Sequence, residues 1–517
     1  MRSLKLTVVT LTVVLAGASA CASDDSEAEP TGGATESTAA ATTASTTATT
    51  AAAAGAASDS PTSMDEWEAL WAEERAAVVA EIQENGWGKT PDGNRLVGPE
   101  GFEIDLAACP AGWDDTEGLT DSEILFGLPI AQSGPLAESA GAGRATDAVF
   151  RHYSDEGAFT DNTGKTRSIT LVQRDDAYDP ARTIPLVDEL IDSVKVFAVQ
   201  THGSPNTLRT YDKLNTRCVP HALPISGHPA LGDPVNHPWT TTSSISYATE
   251  AVIWGAFFEQ RLAELGGRGK IAGLLMNNDF GLSYDAALRA YLETSEGDIE
   301  YVSEKFEPTA ATVTDEMTTL ASEDPDMFIA MSAGSSCAQI MTEAAQNGMH
   351  QSVDYLFISS ACKAGVPIID MGSSADGWWS VAGGLKDVLI SAYDDDPFVV
   401  AARQWTAEAG HEPSPSFNLG LYYSWAIAQG IQIAGQLDGG LTRTNLMLAL
   451  RSIDMTHPML LGGLTISMNG NADAYLLEGS DISYWDAAQK TWVQETLVNL
   501  DGRTPLCAWD QNTSACA

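Results

Sequence analysis

Residues 122–136 read SEILFGLPIAQSGPL, and this stretch constrains what the chain can fold into. An apolar run, 124–130, stops at a polar turn containing Gly and Pro, and a long helical pattern follows. A run of that length between turn residues suits a strand buried on both faces, as in a parallel sheet. Gln132, Ser133 and Gly134 then fall at the strand's carboxyl end, where open α/β sheets bind ligands.

The same unit recurs. Residues 168–174 read as a second strand, after which Asp179 is a fitting N-cap and Pro180 a fitting first helical residue. Residues 194–200 form a third, closed by His202, Gly203 and Ser204, and 218–220 a fourth. After a long polar loop, a helix over 247–265 restarts the alternation. Strands follow at 270–277, 299–306, 327–331 and 355–358, with helices at 282–294 and 339–347. Such alternation means parallel sheets covered by helices, and roughly 400 residues exceed one core, which predicts two lobes. Lobe 1 is expected over 122–245 and lobe 2 over 246–375. Helices over 394–410 and 416–435 return to lobe 1 within a segment, 376–517, whose end turns to short strands from His457. Residues 61–121 form an accessory N-terminal extension that opens with an amphipathic helix over 64–85, bearing Trp67, Trp71 and Ile82 on one face.

The first residues carry a different message. Arg2 and Lys5 precede an apolar run of about 13 residues, too short to span a bilayer, and small residues follow. Residues 1–21 therefore read as a secretory signal peptide. Ala18-Ser19-Ala20-Cys21 resembles a bacterial lipobox, with Ala where Leu is usual, so Cys21 is the expected lipidation site. Residues 22–60, rich in Ala, Thr and Ser, cannot bury enough apolar surface to order themselves and read as a tether. An extracytoplasmic, membrane-anchored lipoprotein is the expectation, with no membrane contact beyond the lipid.

Without Cys21, six of the 7 cysteines remain, consistent with three disulfides in an exported chain. Spacing invites Cys337 with Cys362 and Cys507 with Cys516, leaving Cys109 with Cys218, one of 15 connectivities open to six cysteines. The net charge of −43 argues against nucleic acid, whose phosphates would be repelled. His202, His221, His228 and His237 lie close in sequence, but their spacing matches no zinc motif, and no metal or other cofactor is expected.

Ser133-Gly134, Gly203-Ser204 and Ser335-Ser336 each follow an apolar strand and precede a helix, where backbone N–H groups and a hydroxyl can bind a carboxylate. Each pair alone is also an ordinary helix cap; three in corresponding positions point to a cleft. With FGLPIAQSGPLAESAGAG, LVQRDDAYDPARTIPLVDELI, VFAVQTHGS, NNDFGLSYDAAL, FNLGLYYSWAIAQGIQIAG and LTRTNLMLALRSI in this order, residues 122–492 resemble the type I periplasmic substrate-binding proteins. The resemblance is to the branched-chain amino acid receptor-like group that serves ABC importers.

That resemblance implies an α/β fold of two lobes, each a mostly parallel sheet flanked by helices, joined by a three-crossover hinge. It implies a monomer that closes on a small molecule and delivers it to an ABC permease. Carried over by position, the ligand contacts are Gln132 and Ser133, then His202, Gly203 and Ser204, then Ser226, Gly227 and His228. Lobe 2 adds Phe280, Ser335 or Ser336, and Ser360. Amino acid binders of the group commonly hold the ligand ammonium with an acidic residue just after the strand that here ends FISSAC, where this chain has Ala361. An unpartnered ammonium in a closed cleft is costly. Asp279 can substitute, or the ligand is an amide, a small acid or a similar polar solute rather than a branched-chain amino acid. A surface sensor signalling to a partner would use the same fold. A secreted hydrolase, the enzyme alternative, would need a GxSxG elbow or an HExxH pair, and the sequence has neither, so no catalysis is expected.

Overall fold

The computed structural model describes residues 60–500, 502–510 and 515–516. The expected signal peptide, the expected lipidation site Cys21 and all of the expected tether but Ser60 lie outside them.

Helix α1 (Met64–Glu84) starts where the Ser63 hydroxyl accepts the Glu66 N–H at 3.3 Å. It buries Trp67, Trp71, Val78 and Ile82. Trp71 is fully buried, edge-on to Trp425 at 5.0 Å, and its indole N–H donates to the Thr456 carbonyl at 3.0 Å. Three short antiparallel strands follow, Gly88–Lys89, Arg95–Val97 and Glu103–Asp105. A disulfide from Cys109 to Cys218 ties this extension to the first lobe.

The first lobe is built on β1 (Glu123–Ile130), whose residues from Phe126 on are all buried. After it come α2 (Ala140–Asp155), β2 (Ser168–Asp175), α3 (Pro180–Asp188) and β3 (Ala198–Val199). The sheet order is β2-β1-β3, all parallel. β3 is shorter than the apolar run 194–200 predicts. The carbonyls of Val196 and Phe197 accept from the buried Arg443 guanidinium, at 2.8 and 3.1 Å, instead of from a neighbouring strand. The region around Cys218 extends the sheet only through isolated bridges, such as Val199 to His221.

The second lobe follows with α4 (Tyr247–Glu259), β4 (Arg268–Met276), α5 (Asp279–Thr294), β5 (Asp298–Phe306) and α6 (Thr314–Ser322). It continues with β6 (Met327–Met331), α7 (Ser335–Asn347), β7 (Tyr355–Ile358), α8 (Ser360–Gly365) and β8 (Trp379–Val381). The chain then runs through α9 (Pro397–Glu408), α10 (Phe417–Gln436) and α11 (Arg443–Arg451). Trp71 of α1 packs edge-on against both Phe398 of α9 and Trp425 of α10, and the buried faces of α9 and α10 share one hydrophobic core with β1 and α2.

Two strands not foreseen at this length close the fold, β9 (Gly479–Asp486) and β10 (Thr491–Asn499). They form an antiparallel hairpin at the edge of the second sheet, whose order is β10-β9-β8-β7-β6-β4-β5. Segment 376–517 is thus shared between the lobes: its helices pack on the first and β8, β9 and β10 belong to the second. Three passages join the lobes, near residues 244, 384 and 478, and the chain after β10 makes a fourth. That tail brings the Cys507 N–H to the Gly232 carbonyl at 2.9 Å. Cys337 pairs with Cys362 and Cys507 with Cys516.

Among the described residues, no helix is long and apolar enough to cross a membrane, and no group of three His, Cys, Asp or Glu is placed to hold a metal ion.

Candidate functional site

A seam of polar contacts runs between the lobes. The Asn278 amide faces the Tyr178 hydroxyl at 3.5 Å, the Ser335 hydroxyl faces the Pro135 carbonyl at 3.5 Å, and Arg209 faces Asp279 at 3.7 Å. At Gly334, φ is 73° and a Cβ would lie 2.4 Å from the Pro135 carbonyl oxygen, so only glycine allows this approach. Behind the seam, walls from both lobes line a cavity of about 110 Å³.

The first lobe's wall depends on a strained turn. Ala177 and Tyr178 have φ of 53° and 61°, a backbone region that residues with a Cβ rarely adopt. The buried Asp176 carboxylate holds them there. It accepts the Tyr178 N–H at 2.9 Å, the Thr183 hydroxyl at 3.1 Å and the Asn206 amide at 3.0 Å. Burial nevertheless pushes its pKa up to about 6. The turn lays the Tyr178 ring over Gly203 (φ 84°), where a Cβ would meet the ring at 2.3 Å. Beside it lies His202, whose Nδ1 has no hydrogen-bond partner among the described residues; burial drives its pKa down to about 4, so the ring is neutral at physiological pH.

The second lobe's wall comes from helix starts. The Asn278 side chain caps α5 by accepting the Phe280 N–H at 3.1 Å, and Ser246 caps α4 by accepting the Ala248 N–H at 3.2 Å. These caps set Phe280 and Tyr247 edge to face at 5.0 Å on the cavity wall. Ser360, at the start of α8, gives both its N–H and its hydroxyl to Glu250, at 2.9 and 2.8 Å. The Tyr284 hydroxyl also donates to Glu250, at 2.6 Å. Burial pushes the Glu250 carboxyl up to about 7.

Of the residues expected at the site, His202, Gly203, Ser226, Phe280 and Ser360 line this cavity, as does Ala361. Gln132 and Ser133 are exposed outside it, the Ser133 hydroxyl donating to Asp175 at 2.6 Å; Leu136 of the same turn lines the wall instead. Ser204 and Ser226 bond to each other at 2.9 Å, and only Ser226 reaches the cavity. Gly227 packs against Tyr247, and His228 accepts the Ala230 N–H and faces Trp509 edge-on, both behind the wall. Ser335 lies on the interlobe seam and Ser336 bonds to Ser332 at 2.7 Å. Sequence reasoning missed Tyr178, Tyr247, Tyr422, Tyr423 and Lys363, all in the lining.

The lining is aromatic and aliphatic for the most part, and its charge is one-sided. Among the described residues, no Asp or Glu lines the cavity, and Lys363 is its one Lys or Arg. Asp279, the candidate ammonium partner, faces Arg209 and is not in the lining.

The model of the periplasmic binding protein family matches residues 123–475, and the chain belongs to that family. Its members of this kind are solute-binding proteins of ABC transporters, with two α/β lobes around the ligand. No curated protein matches the chain by sequence. Solved structures resemble it in fold at low identity. A branched chain amino acid ABC transporter protein from Thermus thermophilus with bound valine is 17% identical, with a TM-score of 0.61 over 74% of this chain and 98% of that one. A fatty acid ABC transporter substrate-binding protein from Thermomonospora curvata is 16% identical, with a TM-score of 0.60 over 77% and 98%. An ABC transporter solute binding protein from Rhodopseudomonas palustris BisB5, in complex with 3,4-dihydroxy benzoic acid, is 18% identical, with a TM-score of 0.60 over 74% and 100%.

Proposed function

We propose that this chain is the extracytoplasmic receptor of an ABC importer, tethered through Cys21, which closes as a monomer on a small solute and hands it to the permease. The observation that carries the reading is a cavity walled by both lobes, because a ligand touching both favours the closed state by its differential contacts.

The solute has an apolar body and no ammonium. Tyr178, Tyr247, Phe280 and Tyr423 offer ring faces and edges, while no carboxylate among the described lining residues stands ready to pair an ammonium. Glu250 does not substitute, since both its oxygens are taken by Ser360 and Tyr284. The ligands named for the similar structures, valine, a fatty acid and a dihydroxybenzoic acid, span both kinds, and the cavity's chemistry sides with the latter two.

A thermal-shift screen of amino acids, amides, alcohols and small acids tests this, since a ligand of the folded state raises the melting temperature by mass action. The largest rise is expected from an ammonium-free solute. Leucine, isoleucine or valine giving the largest rise would refute the ammonium-free reading, and silence from the whole panel would count against the receptor itself.

A further inference from the structure

Lys363 sits on α8 with its side chain only 9% exposed, on the cavity wall. Its partners come from the C-terminal hairpin. Asp481 of β9 approaches the ammonium at 3.5 Å, and the Trp492 ring of β10 lies 5.0 Å from it. Both strands fall beyond residue 475, where the family's match ends. The hairpin thus holds the cleft's one lysine in place from outside the shared core.

The lysine is held but not saturated. A charge-assisted N–H···O bond is about 2.7–2.9 Å long, so 3.5 Å is a loose pairing. The Asp481 oxygens already accept the Gly384 N–H at 3.0 Å and the Ser483 hydroxyl at 2.5 Å. An ammonium has three donors, and among the described residues none of those of Lys363 is spent in a hydrogen bond to the protein. A nearly buried cation with free donors, in a cavity whose other described lining residues are neutral and mostly apolar, is a receiver for one anion.

We propose that the cleft selects a monocarboxylate with an apolar body, that Lys363 receives the carboxylate, and that the hairpin β9–β10 fixes its strength through Asp481 and Trp492. This rests on reading the cleft as the solute site. A dicarboxylate would leave its second charge unpaired among tyrosines and leucines, and an amino acid would leave its ammonium so. An amide would leave the lysine without an anion.

Compounds sharing one skeleton separate these cases: leucine, 4-methylpentanoate and 4-methylpentanamide, with phenylalanine, 3-phenylpropanoate and 3-phenylpropanamide as the aromatic set. Calorimetric titration of the full chain is expected to rank each acid at least about tenfold tighter than its amide and its amino acid. Lys363→Met is expected to weaken acid binding about 10- to 100-fold and amide binding by several-fold less, because an amide carbonyl accepts from the ammonium without the charge. Asp481→Asn, which removes the competing charge, is expected to tighten acid binding several-fold, an effect that a merely structural role would not produce. Lys363→Met combined with Asp481→Asn removes the pair as a unit, so the loss can still be read if Lys363→Met alone does not fold. Amides binding as well as acids, or acid affinity indifferent to Lys363, would overturn this proposal and leave the receptor reading standing. Tightest binding by the amino acids would refute the ammonium-free reading as well, and silence from all six would remove the cleft as a solute site.

Discussion

Tyr178 links the two lobes, and its position is set by a carboxylate that never touches the cavity. Asp176 spends its oxygens on the Tyr178 N–H, Thr183 and Asn206, and so stabilises a left-handed turn that Ala177 and Tyr178 would otherwise avoid. Glu250 does the same service in the second lobe by fixing Ser360 and Tyr284. It also carries a pH signature. Burial raises its carboxyl from 4.5 to about 7, so the folded chain keeps a proton that the unfolded chain releases. Stability is therefore lost as pH rises from about 4.5 through about 7, and stays lost above. Glu138 and Asp176, at about 7 and about 6, tilt the same way, while His202, lowered to about 4, tilts oppositely below its ordinary value of 6.5. These act alike in the wild type and in Glu250→Gln, which cannot ionise. The stability of the variant relative to the wild type is expected to rise by about 3 kcal/mol between pH 4.5 and pH 8. Urea unfolding at both pH values measures this, and a constant difference contradicts it.

Helix α8 shows how an element too short to be stable alone becomes a reliable wall. It has six residues, yet it presents Ser360, Ala361, Lys363 and Ala364 to the cavity. Cys362, fully buried, bonds it to Cys337 of α7, and the hairpin holds Lys363 from the other side. Replacing both cysteines by Ser is expected to cost about 3 kcal/mol of stability through the 25-residue separation, and to weaken ligand binding further by freeing Ala361 and Lys363. Unfolding and titration of the double variant test it; unchanged affinity would mean that α8 holds its place without the bond.

Elements were legible where the apolar pattern was local. Residues 327–331 read as a buried strand because MFIAM is apolar throughout, and β6 has these bounds with every residue buried. The hairpin was not legible. Its strands mix Ser, Asp and Thr with aromatics, and β9, paired on both edges by β8 and β10, is buried along most of its length despite that polarity. The site was legible only at its turns. His202, Gly203 and Phe280 stand beside strand ends, whereas Tyr247, Tyr422 and Tyr423 lie within helices, where an aromatic residue reads as core. Lys363 gains its meaning from Asp481, 118 positions later, a partnership that no local pattern carries.

The described residues form two lobes joined by three passages and a returning tail, with the accessory extension packed on the first lobe and the hairpin added to the second. Both additions lie outside residues 123–475, and only the hairpin reaches the neighbourhood of the cavity. The central claim is that this interlobe cavity takes the ligand. Ala361→Trp fills it from α8 while Asp176, Glu250 and Lys363 keep their partners. The decisive measurement is the melting temperature of wild type and Ala361→Trp, each with and without the screen's strongest solute. A ligand-induced rise in the wild type that vanishes in the variant, with similar ligand-free melting temperatures, is the predicted result. The same rise in both proteins would show that the solute binds elsewhere, and would contradict the account.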